Sequence, residues 1–194
     1  MRSLLTHPLQ KVGAGRSGVI LALAWGVAEA LWWPVVPDFL VFALVPLTPR
    51  RWWKFAAAAS FGSAMGGALG YALAGILEPD VLLAAAPLVT DRMAEVARGW
   101  LIEGGSAAIL RQPLSGIPYK VFVFVARDVN LNFAGFLIFS VIARAFRIFA
   151  VGGVAGLIGW VAGRERVARY YDIFLALVTI SFGVGLWRVI ASFS

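Results

Sequence analysis

The chain has 194 residues, of which 61% are hydrophobic and 14% charged, with a net charge of +7 and mean hydropathy of +0.85. A soluble domain carries about 25% charged residues, so the balance reads as one polytopic membrane domain. Cysteine is absent and His7 is the only histidine, which excludes disulfides, thiol catalysis and any Cys- or His-based metal cluster within the chain.

The first 17 residues are basic and weakly apolar. They lack the continuous apolar core of a signal peptide and read as a tail or a short helix on the membrane surface. Apolar stretches follow at 18–33 and 39–47, interrupted by Pro34 and Pro37. Each is shorter than the roughly 20 residues that a spanning helix needs, and proline disfavours helix at the residue before it. The spacing predicts a re-entrant hairpin over 18–47; the alternative is one kinked spanning helix. Glu29 and Asp38 flank its turn. A charge near the bilayer centre costs at least about 2.5–3.5 kcal/mol, so both acids are expected to face a cavity or a partner. Reversible protonation would be feasible for them there. The alternative places them among the headgroups.

A spanning helix is expected at 52–77, with Gly62, Gly66 and Gly70 on one face as a packing signal. An amphipathic surface helix follows at 89–102, with Met93, Ala97, Trp100 and Leu101 on its apolar side. A second hairpin is expected over 106–127, with "QPLSGIP" at its tip between Arg111 and Lys120. Arg127 and Asp128 read as a solvated interfacial pair. The longest apolar run, 131–162, predicts a spanning helix that carries Arg144 and Arg147 far from either end, one turn apart. Arginine offers a planar donor fork suited to phosphate or carboxylate. Arg111, Lys120, Arg144 and Arg147 are therefore the candidate phosphate-binding residues, with structural ion pairing or interfacial solvation as their plainer roles. A final helix is expected at 171–192. Basic clusters at 50–54 and 164–169 predict cytoplasmic ends, and the acids at 78 and 80 an outer loop. The two halves then have opposite topology, a recurrent transporter plan.

Four segments in order, "AEALWWPVVPDFLVF", "GSAMGGALGYALAG", "SGIPYKVF" and "ARAFRIF", resemble the DedA membrane-protein family. That family is also called the SNARE-associated or VTT-domain family, and the likeness is greatest to its YqaA-like branch. The resemblance covers roughly residues 18–190. It implies an all-α lipid transporter, flippase- or scramblase-like, in a bacterial plasma membrane, moving undecaprenyl phosphate or another anionic lipid with proton coupling. By motif it places Glu29 and Asp38 in the acidic role and Lys120 in the basic one. Arg111 lies too far upstream to match the family's other basic position. The expected partners are an anionic lipid, protons and the bilayer, with no nucleic acid and no cofactor; a homo-oligomer is left open, and assembly through the glycine faces belongs to the structural alternative below. Two rival readings are a proton-coupled carrier of a small ion or solute, and a structural membrane protein without transport. A classical enzyme is disfavoured, because the chain lacks a His–acid–nucleophile set.

Overall fold

Residues 6–193 are described in a computed structural model. Residues 1–5 of the expected N-terminal segment lie outside them. The described residues are mostly helical, with no strand among them. The helices are α1 (Thr6–Ala14), α2 (Arg16–Leu31), α3 (Pro37–Leu44), α4 (Trp52–Leu73), α5 (Pro79–Ala85), α6 (Asp91–Gly104), α7 (Gln112–Ser115), α8 (Tyr119–Asp128), α9 (Phe133–Ala162) and α10 (Arg164–Ser192). Tight 3-10 turns occupy Val45–Leu47, Pro49–Arg51 and Gly105–Arg111.

Both proline clusters break the helix. α2 stops at Leu31, and α3 starts at Pro37, whose fixed φ and missing N–H suit a first helical turn. Within this first break the Trp25 indole donates to the Val35 carbonyl at 2.8 Å, folding the connection back beside α2. The returning chain meets the start of α2, where the Arg51 guanidinium donates to the carbonyls of Gly13, Ala14 and Gly15. The second break follows α7 at Gly116, a left-handed residue (φ +78°), and ends at Pro118 before α8. "VFVFV" in α8 has the composition of a strand. It forms a helix instead, which satisfies its backbone without a partner strand. Residues Tyr119–Ala126 are all buried.

α4 and α9 run antiparallel. Tyr71, near the end of α4, stacks on Phe136 near the start of α9, while Trp52 at the start of α4 meets Phe149. The base of the first broken unit lies at the far end of α9, where a Cβ on Gly159 would come within 2.6 Å of the Pro46 carbonyl oxygen. The base of the second lies at its near end, where a Cβ on Gly135 would meet the Ser106 hydroxyl at 2.8 Å. Each unit builds its own core. One gathers Leu40, Val41, Leu44, Phe55 and Ile148; the other gathers Met93, Leu101, Phe122, Phe124 and Phe136. The glycine face of α4 lets α2 lie directly against it, since a side chain at Gly62 would run into the Leu23 carbonyl.

α9 and α10 are each long and apolar enough to cross a membrane. Ile173, Leu177, Ile180, Val184 and Trp187 form an exposed stripe along α10, as lipid contact would require. α1 and α2 meet at 85° and together make a third candidate. The span expected at 52–77 is helical over Trp52–Leu73, but glycine and serine leave it less apolar than α9 and α10.

Several expectations need correction. The last helix begins at Arg164 rather than 171 and bends at Tyr170, because "RERVARYYD" is rich in helix formers and continues the element. The loop expected around Glu78 and Asp80 contains a short helix, Pro79–Ala85, with Pro79 in its first turn. The helix expected at 89–102 runs Asp91–Gly104, with the Thr90 hydroxyl accepting from the Met93 N–H at 3.3 Å. Arg127 and Asp128 do not pair. Asp128 bonds Arg98 at 2.7 Å, and Arg127 lies over the Tyr71 ring.

Candidate functional site

The two breaks meet against the middle of α9, in the seam between the two cores. Lys120 lies in the first turn of α8 and is 1% exposed. Its ammonium donates to the carbonyls of Trp32 and Trp33 at 2.8 and 3.0 Å. Those carbonyls belong to the frayed end of α2, where the negative end of a helix dipole favours a cation. Lys120 therefore ties one break to the other.

Arg144 is 1% exposed and too deep in α9 to reach water. Its Nη2 bonds the Glu29 carboxylate at 2.6 Å and the Ser63 hydroxyl at 3.3 Å. Its guanidinium sits 4.9 Å from the centre of the Tyr119 ring, a cation–π distance. One buried charge from each half thus neutralises the other. One turn along α9, Arg147 bonds Asp38 at 2.7 Å through Nη2 and at 2.8 Å through Nε. Its Nη1 reaches the Pro113 carbonyl at 3.3 Å. This pair is less enclosed: the Arg147 side chain is 26% exposed, against 1% for Arg144.

Five of the six candidate residues converge here: Glu29, Asp38, Lys120, Arg144 and Arg147. Arg111 does not. It is exposed and lies over the Trp100 ring at 5.6 Å, outside the charged cluster. Three other residues touch the cluster or line the cavity beside it: Ser63, Tyr119 and Gln112. Ser63 hides among the alanines and glycines of α4 and offers no signal of its own. Tyr119 reads as a packing tyrosine, yet its ring receives Arg144. Gln112 lies in the tip motif, and a polar amide inside an apolar run is a legible signal that its neighbouring prolines obscure.

Beside the cluster lies a cavity of about 290 Å³. Glu29, Trp33, Lys120 and Arg147 line it, and α10 closes it through Phe182 and Val189. The volume suits a small charged headgroup and is far too small for a long isoprenoid tail. Its charged lining is mixed, with one carboxylate facing two cations.

The chain is similar to an uncharacterized protein of Haemophilus influenzae, 27% identical over 170 residues that cover 85% of this chain and 82% of the relative. No family model matches the chain. No solved structure matches it.

Proposed function

We propose that this protein is a DedA-like lipid transporter of the bacterial inner membrane, and that it moves a polyprenyl phosphate or a related anionic lipid. The two broken units act as re-entrant hairpins of an inverted repeat, entering from opposite faces. The observation that carries the reading is the pair of carboxylate–guanidinium contacts where the breaks meet beside a cavity, Glu29–Arg144 fully buried and Asp38–Arg147 partly so. Isolated charges inside a membrane protein are costly and mark substrate or ion pathways. A phosphate entering the cavity competes with the carboxylates for the guanidinium donors. Each carboxylate set free is then available to carry a proton, and this links phosphate binding to proton movement. The tail stays in lipid, while α10 moves aside to admit the headgroup.

The test is transbilayer movement of a short-chain polyprenyl phosphate in vesicles that carry the purified protein. Movement faster than in protein-free vesicles is expected, with no acceleration of the uncharged polyprenol. Equal rates with and without protein would overturn the lipid assignment. Uptake of a small solute in its place would favour the carrier reading.

A further inference from the structure

Gln112 is 2% exposed and borders the cavity. Its Nε2 donates to the Ile117 carbonyl at 3.0 Å, across the tip of the second broken unit. The tip is braced further by Ser115, whose hydroxyl donates to the Gln112 carbonyl at 2.9 Å and accepts from the Ile117 N–H at 3.1 Å. These bonds fix which way the amide faces. The Oε1 is left buried with no hydrogen-bond partner among the described residues. A buried acceptor of this kind calls for a donor.

The other polar side chains on the cavity wall are Lys120, Arg147 and the Trp33 indole, which donate, Glu29, whose Oε2 is engaged by Arg144, and the Tyr119 and Ser181 hydroxyls, which can do either. The start of α8 also borders the cavity, and the first turn of a helix presents N–H groups to an anion. The site therefore has several donors for phosphate oxygens, and Gln112 adds an amide acceptor that its own tip leaves unengaged. A phosphodiester has only acceptor oxygens, so it would set an oxygen against Gln112 Oε1 and leave both unpaired. A singly protonated phosphomonoester carries a P–OH that can donate to that oxygen.

We infer that Gln112 is the specificity-determining residue of this cavity, accepting a hydrogen bond from the P–OH of a phosphomonoester lipid and thereby selecting monoesters over diesters. The inference rests on the lipid-phosphate reading proposed above and narrows it to one ester class.

The experiment measures equilibrium binding of a short-chain polyprenyl phosphate and of its monomethyl ester to the purified full chain. It is done at about pH 6, where the monoester is partly protonated. The wild type is expected to bind the monoester at least about tenfold more tightly, in line with the cost of an unpaired buried acceptor. Gln112→Met, which removes the acceptor at similar length, is expected to bring the two affinities close together. Equal binding of the two lipids by the wild type overturns the inference without recourse to a variant. So does a preference that persists unchanged in Gln112→Met. Binding of neither phosphate lipid would instead remove the lipid-phosphate reading, and the inference with it. Tight binding of the methyl ester alone would leave the reading standing and refute the role of Gln112.

Discussion

Arg144→Ala is expected to destabilise the protein by about 3–5 kcal/mol, the cost of leaving one member of a buried ion pair without its partner. The abandoned group is Glu29, which is 1% exposed and has Arg144 at 2.6 Å. Ser63 and the Tyr119 ring also lose their contact with the guanidinium, and neither carries a charge that could replace it. A second substitution that removes the stranded charge should recover most of the loss. Glu29→Gln combined with Arg144→Gln keeps hydrogen-bonding groups on both sides and leaves no net charge behind. Equilibrium unfolding in detergent reads both effects. A destabilisation below about 1 kcal/mol for Arg144→Ala would mean that the pair is solvated, as the interfacial alternative requires. The stable double variant then separates structure from function, because it should fold and fail to transport.

The second large effect falls on binding. Arg147 is the more accessible guanidinium, and it lines the cavity. Arg147 is 26% exposed but the Asp38 it would strand is buried, so Arg147→Ala should cost about 1–3 kcal/mol of stability, less than Arg144→Ala. Its contribution to a bound phosphate is a charge-assisted, forked contact of roughly 1.5–3 kcal/mol. That corresponds to about a 10- to 100-fold loss of affinity for a polyprenyl phosphate. Arg147→Lys keeps the charge but not the fork and should recover part of the loss. Titration calorimetry of the two variants beside the wild type checks this. Unchanged affinity in Arg147→Ala would show that the arginine serves only to hold Asp38. Arg111→Ala is the internal control: that residue lies over Trp100, away from the cluster, and its loss should leave binding unaltered.

These residues also show what a single sequence can reveal. Pro34, Pro37 and Pro118 mark both breaks, because proline constrains its own φ and the residue before it whatever the tertiary setting. Glu29, Asp38, Arg144 and Arg147 stand out because a charge in an apolar run needs a partner. Which acid meets which base is a different matter: those partners are 115 and 109 residues apart. Only the packing of α2, α3 and α9 decides it. Arg111 and Lys120 look equivalent as bases bracketing one tip. Lys120 enters the first buried turn of α8, whereas Arg111 ends a 3-10 turn with its own side chain exposed. Arg127 and Asp128 are adjacent in sequence, but adjacent helical side chains do not face each other, and each finds its contact on another element. Gln112 was hidden for a further reason. Its meaning depends on one amide oxygen that its own tip leaves unpaired, and no residue pattern records that.

The measurement that tests the account most directly is the sidedness of single cysteines on this cysteine-free chain. Arg50 and Arg166 are exposed near the base of the first broken unit, and Glu78 is exposed beyond the other end of α4. Arg50→Cys, Arg166→Cys and Glu78→Cys would be expressed in intact cells and treated with a membrane-impermeant maleimide. The account predicts labelling at position 78 from outside, and at positions 50 and 166 only after the membrane is permeabilised. That pattern places the bases of the two broken units on opposite faces, with Arg144 between them. Labelling of all three positions from the same face would contradict it, since charges from the two halves could not then meet from opposite sides of the bilayer.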